Sequence, residues 1–286
     1  MNDLSFDVHP GGVTGFLGPN GAGKSTTMRL MLGLVRGEGV TTFGGRRIDQ
    51  LHQPLRTVGA MLDPTAHNPR RSARAHVRIF TAAAGMKPRR ADEVLALVGL
   101  SDVASHPSGA FSLGMQQRLA LAAALAGDPE YLVLDEPANG LDPQGIRWLR
   151  DFLTALTDEG RTVLLSSHQL AEMAQTADQL IVLGRGRILT EGRLSEFVGQ
   201  FSRRGVLVRS PQIERLAECL QVNGFGPFSA EGADGLVIDG EAGTEQIGEL
   251  AAHYGVVLHE LTARTSTLEE AFLHATAGSV DFEAFS

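Results

Sequence analysis

The chain carries Gly18-Pro19-Asn20-Gly21-Ala22-Gly23-Lys24-Ser25-Thr26, and this stretch decides its fold. It fits the phosphate-binding loop pattern G-x-x-x-x-G-K-[ST]. Glycines let the backbone curl so that successive N–H groups face phosphate oxygens. In this pattern Lys24 reaches the β- and γ-phosphates, and the Ser25 hydroxyl binds Mg²⁺. The stretch therefore predicts a site for a nucleoside triphosphate with Mg²⁺.

The sequence on either side of this loop has the context that the motif requires. Val13–Leu17 is a short apolar run that predicts a strand, and Thr27–Leu32 has the pattern of a helix. A helix that opens near Gly23 adds its positive N-terminal end to the phosphate site. Strand, loop and helix in this order favour a phosphate-binding loop over an ordinary glycine-rich turn.

Length, charge and cysteine content narrow the class of protein. The chain has 286 residues, enough for one large domain and a small one, and a formal net charge of −8. An acidic balance argues against a dedicated nucleic-acid binder, so no nucleic-acid partner is expected. The single cysteine, Cys219, excludes an intrachain disulfide. Without a signal-peptide pattern or an apolar run of about 18 residues, we expect a cytoplasmic chain that does not itself span a membrane.

Short apolar runs alternate with helical patterns along the first part of the chain, which predicts an α/β fold with a mostly parallel sheet. We assign residues 1–200 to this nucleotide-binding domain. Beyond the polar break at 202–205 the pattern restarts and predicts a small α/β domain over 205–276, then a tail over 277–286. Within the small domain we expect a strand over Val256–Leu261 and a closing helix over Leu268–Ala275.

Two acids follow an apolar run at Tyr131–Leu134. In ATPases with a phosphate loop, an Asp at the end of a neighbouring strand holds Mg²⁺, and Asp135 fits that role. Glu136 can face the water that attacks the γ-phosphate, which makes it the candidate general base. A solvated acid pair is the alternative, and the phosphate loop upstream makes it improbable.

A second ligand-binding helix end is expected at Ser112-Leu113-Gly114-Met115-Gln116, which we call the signature segment. Ser112 can cap the helix, and Gly114 lets backbone amides approach a ligand. Together with the phosphate loop, the Asp-Glu strand and a later His, the segment resembles the nucleotide-binding subunit of an ABC transporter. Its Ser, second Gly and Gln are similar to the family signature LSGGQ, with Phe111 and Leu113 as departures.

The resemblance implies a phosphate-loop ATPase fold with a helical signature subdomain. It implies ATP and Mg²⁺ as ligands, and a head-to-tail homodimer in which Ser112, Gly114 and Gln116 contact ATP bound to the other subunit. Asn139-Gly140-Leu141-Asp142 matches the family's D-loop, which crosses the dimer interface, so Asp142 joins the nucleotide site. His168 matches the family's switch histidine, which senses the γ-phosphate.

The resemblance also implies partners and a location. The subunit would pair with integral membrane permease subunits and lie peripherally at the cytoplasmic face of the cell membrane. The C-terminal part is similar to the extension of ABC-2-type antibiotic and multidrug exporter ATPases of actinobacteria. The cargo is left open, because it is chosen by membrane subunits outside this chain.

The sequence departs from the family at two places. Family members usually have a longer N-terminal segment, with a first strand and an aromatic residue that stacks on adenine. Phe6 lies too close to the phosphate loop to replace that residue, so we expect weaker ATP binding or a start codon set too far downstream. Asp63 stands where the family's Mg²⁺-linked Gln is usual, and we expect it to bind Mg²⁺ through water. The basic stretch Asn68–His76 would face the membrane subunit.

Two other functions fit parts of the sequence. A regulatory or degenerate subunit would bind ATP with little hydrolysis, and ATPase activity distinguishes it from a transport motor. An ABC-type ATPase acting on nucleic acid or ribosomes usually has two ATPase units in one chain. One phosphate loop and an acidic balance count against that class.

Overall fold

The computed structural model describes residues 3–168, 170–201, 204–240 and 242–265. The chain divides into two compact units between Ser195 and Glu196. The first unit is built on a six-stranded sheet, whose strands are β1 (Val13–Leu17), β2 (Val58–Met61), β3 (Tyr131–Asp135), β4 (Thr162–Ser167), β5 (Gln179–Gly184) and β6 (Arg187–Arg193). Its helices are α1 (Lys24–Met31), α2 (Pro54–Thr57), α3 (Ala73–Ala83), α4 (Arg90–Leu97), α5 (Leu113–Ala124), α6 (Pro143–Asp158) and α7 (Leu170–Thr176).

The sheet has the strand order β2-β3-β4-β1-β5-β6. All neighbouring pairs are parallel except β5 and β6, which are antiparallel. This confirms the predicted α/β class with a mostly parallel sheet. Central strands that are buried on both faces appear as continuous apolar runs, and all five residues of β1 are buried.

The strand order places the functional loops along one edge of the sheet. β4 lies between β1 and β3, with Leu17 beside Ser167 and Asp135 beside Ser166. The carboxyl ends of parallel strands meet at the same edge, where open α/β sheets bind ligands. The phosphate loop after β1 and the acids at the end of β3 therefore flank the end of β4.

Helices α3, α4 and α5 pack against one another and form a helical group within the first unit. The sequence did not predict α3, whose first residues fall in the basic stretch that we expected to face a partner. Its buried face includes His76 and Thr81 as well as Ala73 and Val77. These buried positions follow helical spacing, so the pattern was present in the sequence and the prediction overlooked it.

The second unit has a four-stranded antiparallel sheet. A further helix, α8 (Leu194–Phe201), spans the division between the units, and the elements that follow are β7 (Arg204–Arg209), α9 (Ile213–Val222), β8 (Phe228–Ala230), β9 (Gly235–Asp239), α10 (Thr244–His253) and β10 (Glu260–Thr265). The strand order is β10-β7-β9-β8. Order and connectivity are those of the ferredoxin-like β-α-β-β-α-β motif. Helices α9 and α10 share an apolar core with this sheet, centred on Val206, Val208, Leu216 and Ile247.

One strand of the small domain is displaced from its prediction. The sequence suggested Val256–Leu261, whereas β10 is Glu260–Thr265. Val256 is 6% exposed and belongs to the core, but it lies in the loop after α10. An apolar residue that anchors a loop was therefore taken for the start of a strand. The expected helix Leu268–Ala275 and the tail over 277–286 lie outside the described residues.

Candidate functional site

The phosphate loop needs glycine at three positions, one for steric reasons and two for their backbone conformation. A Cβ on Gly18 would lie 2.7 Å from the carbonyl oxygen of Leu183, closer than real Cβ atoms approach. Gly21 has φ +82°, and no atom lies within 4 Å of the place of its Cβ, so the loop is open to a ligand there. Gly23, with φ 109°, directly precedes α1. Left-handed backbone at both positions favours glycine and turns the chain into the helix N-terminus.

Lys24 is buried beneath this loop, with only 6% of its surface exposed. Its Nζ donates a hydrogen bond to the Gly18 carbonyl oxygen at 2.6 Å and to that of Pro19 at 3.4 Å. It also lies 3.4 Å from Oε1 of Glu136. The ammonium group is therefore held at the loop, where its positive charge can meet a phosphate. Ser25 and Thr26 follow it in the first turn of α1.

A buried serine joins the two acids at the end of β3. Ser166 Oγ donates to Oδ1 of Asp135 at 2.5 Å, and the same Oγ accepts the backbone N–H of Glu136 at 2.9 Å. Glu136 has φ +50°, which is uncommon for a residue other than glycine. The turn aims its side chain away from the strand, toward Lys24 and His168. Sequence reasoning missed Ser166, although a Ser-Ser pair closing the apolar strand β4 was a visible signal.

The Glu136 carboxylate is bound on both oxygens. Oε1 faces Lys24, and Oε2 lies 2.8 Å from Nδ1 of His168. Glu136 is 20% exposed and His168 is 38% exposed, so water can reach this end of the network. A carboxylate fixed between an ammonium group and an imidazole is oriented for accepting a proton from water. The structure thus brings Lys24, Glu136 and His168 together through direct contacts and links Asp135 to Glu136 through Ser166.

The residues predicted on the signature side are bound within their own segments. Ser112 caps α5, with its Oγ accepting the N–H of Met115 at 3.3 Å. Gln116 donates its side-chain amide to the carbonyl oxygen of Phe111 at 3.1 Å. Counted from Ser112 along LSGGQ, the final Gln falls on Met115, so Gln116 lies one residue further on. Gly114, in the first turn of α5, would place a Cβ 3.3 Å from Leu141 of the D-loop.

Asp142 has a clear local role as the cap of helix α6. Its Oδ1 accepts the N–H of Gly145 at 2.7 Å, and Pro143 occupies the first helical position. Both features stabilise a helix N-terminus. A link that the sequence did not predict joins the two segments, because Gln117 Nε2 donates to the carbonyl oxygen of Asn139 at 2.8 Å.

Asp63 lies after β2 and is exposed. Its Oδ1 accepts hydrogen bonds from the hydroxyl and the N–H of Thr65, at 2.7 and 2.8 Å. These two bonds lower the pKa of the Asp63 carboxyl below its ordinary value, and the positive charges of Arg29 and His67 act in the same direction. The carboxylate is ionised at neutral pH, and its described hydrogen bonds go to its own turn.

The donors at the end of β3 fit Mg²⁺. Magnesium prefers oxygen ligands and is usually held by one or two carboxylates together with substrate phosphates. The Asp135 carboxylate and the Ser25 hydroxyl are such oxygens, one at the end of β3 and the other in the first turn of α1. In the described part of the chain no three His, Cys, Asp or Glu side chains converge as a metal site. Asp135 and Ser25 would therefore hold Mg²⁺ jointly with the phosphates.

Phe6 does not serve as an adenine platform. Its ring packs against that of buried Phe16, with centroids 5.4 Å apart, at the edge of the core cluster. The side chain is committed to the core of the first unit. This position therefore does not supply an aromatic ring for stacking on adenine.

Two family profiles match the chain. The ABC transporter family matches residues 1–139, and a domain of unknown function (DUF8746) matches residues 204–269. The first range contains the phosphate loop, the signature segment and the Asp-Glu pair. The second coincides with the ferredoxin-like sheet and its two helices.

Individual relatives agree with these profiles. An uncharacterised ABC transporter ATP-binding protein of Bacillus subtilis, YhcH, is 42% identical over 193 residues, which are 66% of this chain and 63% of that protein. The chain thus spans slightly less than two thirds of that relative. The fluoroquinolones export ATP-binding protein of Mycobacterium tuberculosis is 32% identical over 279 residues, covering 96% of this chain and 87% of the relative.

A solved structure of the ATP-binding subunit of an ABC transporter superposes with a TM-score of 0.63 at 28% identity, covering 70% of this chain and 85% of that one. Within the ranges that the structure describes, no helix is both long and apolar enough to cross a membrane. The Mycobacterium tuberculosis relative aligns with 96% of the chain, and the phosphate loop, acid pair and histidine form one connected site. The chain belongs to the ABC transporter ATP-binding proteins.

Proposed function

We propose that this protein hydrolyses ATP and thereby powers an ABC-type exporter. The observation that carries the proposal is the contact network of the first unit, in which Glu136 is bound between Lys24 and His168. A base oriented next to a phosphate-binding ammonium group has a purpose in hydrolysis, whereas binding alone would need only the loop. The family membership supports ATP as the nucleotide.

In this proposal the residues have separate tasks. The loop amides and Lys24 hold the β- and γ-phosphates. Glu136 accepts the proton of the water that attacks the γ-phosphate, and His168 keeps the carboxylate in place. Ser112 and Gly114 of a second copy of the chain contact the γ-phosphate from the opposite side, so that two ATP molecules lie between two subunits. Closure of this dimer is the step that drives the membrane subunits.

Mg²⁺ neutralises phosphate charge when bound, and we propose Asp135 and Ser25 as its protein ligands. Asp63 would add a contact through water. Replacing Asp63 with Ala is expected to raise the Mg²⁺ concentration needed for half-maximal hydrolysis by about threefold, since an outer carboxylate acts mainly by its charge. An unchanged Mg²⁺ requirement would remove Asp63 from the site and leave Asp135 unaffected.

We propose that a groove of about 430 Å³ near Asp63 receives an integral membrane permease subunit. Arg71 and the half-exposed Ile79 give this groove both a positive charge and an apolar floor, and Arg70 and Arg74 lie beside it in the chain. The groove lining is Thr65, Ala66, His67, Asn68, Arg71, His76, Ile79 and Phe80. Docking there would place the chain peripherally at the cytoplasmic face of the cell membrane.

Export as the direction of transport is supported by the relative from Mycobacterium tuberculosis, whose name states fluoroquinolone export and which aligns with 96% of this chain. We propose antimicrobial compounds as the cargo class for the complete transporter. The choice of compound would reside in the permease subunits.

The test compares the Glu136→Gln variant with the unmodified chain. We expect Glu136→Gln to keep Mg-ATP binding, to lose at least about 100-fold in hydrolysis and to form an ATP-dependent dimer in light scattering. Glu38→Gln is the matched control, because Glu38 is exposed in a loop of the same unit. Hydrolysis at an unchanged rate would refute the base assignment. Binding without hydrolysis by the unmodified chain would instead identify a regulatory subunit.

A further inference from the structure

We infer that Leu113 and Gln117 are positioning residues that fasten the D-loop, and with it the turn carrying Glu136, to the first turns of α5. The signature segment and the candidate base of one subunit are then connected through the D-loop. The kinetic part of this inference rests on the proposed ATP hydrolysis. The structural part rests on contacts within the first unit alone.

The first contact is between Leu113 and Gly140. A Cβ on Gly140 would lie 2.0 Å from Cδ2 of Leu113, and Gly140 has φ +75°. Position 140 therefore accepts only glycine, for steric and for backbone reasons. Leu113 is 47% exposed, yet the buried part of its side chain lies on this glycine. Leu113, one of the residues at which this chain departs from LSGGQ, thus contacts the D-loop directly.

The second contact is a buried hydrogen bond. Gln117 is 4% exposed, and its Nε2 donates to the carbonyl oxygen of Asn139 at 2.8 Å. The Oε1 of the same amide is buried and has no hydrogen-bond partner among the described residues. Burying an unpaired acceptor costs free energy that an apolar side chain of the same size would avoid. The amide is thus specifically useful as a donor to the D-loop.

The D-loop continues this connection to Glu136. The N–H of Asn139 donates to the carbonyl oxygen of Glu136 at 3.2 Å, which closes the turn that carries the base. On the other side, Leu141 lies against Gly114 in the first turn of α5. Asn139 is therefore bound at its N–H by the turn of the base and at its carbonyl by α5. A displacement of α5 would therefore be transmitted to Glu136 through Asn139.

The first experiment measures amide hydrogen exchange in the nucleotide-free protein. In Gln117→Leu and in Leu113→Ala, we expect exchange at residues 138–142 to rise by about tenfold, because the loop opens locally once its anchor is lost. Leu97→Ala is the matched control, since Leu97 is 51% exposed at the end of another helix, α4. Unchanged exchange at residues 138–142 in both variants would overturn the inference, whether or not the protein hydrolyses ATP.

The second experiment separates positioning from folding. We expect Gln117→Leu and Leu113→Ala to lower kcat for ATP by about tenfold, because small displacements of a catalytic group are costly. KM and the dissociation constant of a fluorescent ATP analogue should change by less than about twofold, because the phosphate loop is untouched. Faster exchange with an unchanged kcat would overturn the positioning role. An unmodified chain without hydrolysis would refute the proposed function, and the exchange result would then decide by itself whether Leu113 and Gln117 fasten the D-loop to α5.

Discussion

The functional residues of the first unit fall into two regions that differ in what they contact. At the phosphate loop, Lys24 and His168 each contact the Glu136 carboxylate. On the signature side, Ser112 and Asp142 bind backbone groups of the helices that they begin. The functional side chains of the first region are thus linked by contacts within the chain. The second has its polar groups engaged in helix capping.

Under the proposed function, this difference separates a catalytic centre whose side chains are linked through Glu136 from a surface that would receive a second subunit. Capping serines and aspartates can exchange their backbone bonds for contacts with a second subunit at modest cost, since one cap is worth about 1 kcal/mol. Breaking the charged contacts of Lys24 or Glu136 costs more, since hydrogen bonds to charged groups are worth about 1.5–3 kcal/mol. Mutations in the first region should therefore affect chemistry, and those in the second stability and assembly.

The largest effect is expected from Lys24→Ala. Loss of the buried ammonium group removes charge-assisted bonds to the phosphates, so ATP affinity should fall by at least about 100-fold. Titration with a fluorescent ATP analogue measures this. Lys87→Ala is the matched control, because Lys87 is exposed and far along the chain from every motif. Equal ATP affinity in Lys24→Ala and Lys87→Ala would mean that the first region is not the nucleotide site. The proposed difference between the two regions would then be wrong.

His168→Ala tests the outer contact of the same network. We expect kcat to fall by about 10- to 100-fold, because Glu136 loses the group that orients it, while ATP affinity stays within about twofold. Steady-state hydrolysis gives kcat, and titration with the fluorescent ATP analogue gives the affinity. His52, exposed in a loop of the same unit, provides the control His52→Ala. A loss of ATP affinity with kcat retained would assign His168 to binding.

Around the first region the sequence also predicted the secondary structure correctly, with strands β1 and β3 and helix α1 close to their expected bounds. The phosphate loop depends on local backbone rules at Gly21 and Gly23, and Asp135 on the end of a buried strand; both signals lie within a few residues. Ser166 escaped prediction because its role depends on register. Only the pairing of β3 with β4 puts it beside Asp135, and no local pattern encodes which strands become neighbours.

Two of the remaining differences between prediction and structure also come from long-range packing. Helix α3 is not one of them, because its buried residues follow a local helical spacing that the prediction overlooked. The antiparallel order of the second unit was not predicted, because strand pairing joins segments far apart in the chain. Gln117 was missed because its partner, Asn139, lies in another segment.

A smaller effect is expected from Asp142→Ala in the second region. Removal of the cap leaves the N–H of Gly145 without its acceptor, so the unfolding free energy should fall by about 1 kcal/mol. For a unit of this size that corresponds to a shift of about 2–4 °C in Tm by calorimetry. Asp151→Ala, at an exposed position on the same helix α6, should leave Tm unchanged. If Asp142→Ala lowered ATP affinity as far as Lys24→Ala does, the two regions would not differ in function as proposed.

The smallest effect concerns His76, in the groove proposed to receive the permease. Burial lowers the pKa of His76 below its ordinary value, and the positive charges of His67 and Arg71 add to the shift. Its Nδ1 is buried with no hydrogen-bond partner in the described residues. The unfolded chain therefore binds a proton more readily, so the contribution of this residue to stability is complete above pH 6.5 and declines as the pH falls below it.

His76→Phe removes this titration while keeping an aromatic ring against Phe80, whose ring centre lies 5.2 Å away. We expect the loss of stability between pH 7.5 and 5.5 to be smaller in His76→Phe than in the unmodified chain, by less than about 1.4 kcal/mol per pH unit. Tm measured at several pH values provides the comparison, with His52→Ala as the exposed control. Parallel pH profiles for His76→Phe and the unmodified chain would mean that His76 is protonated as readily in the folded groove as in water. The groove would then be a hydrated surface and not a pocket that buries an unpaired polar atom.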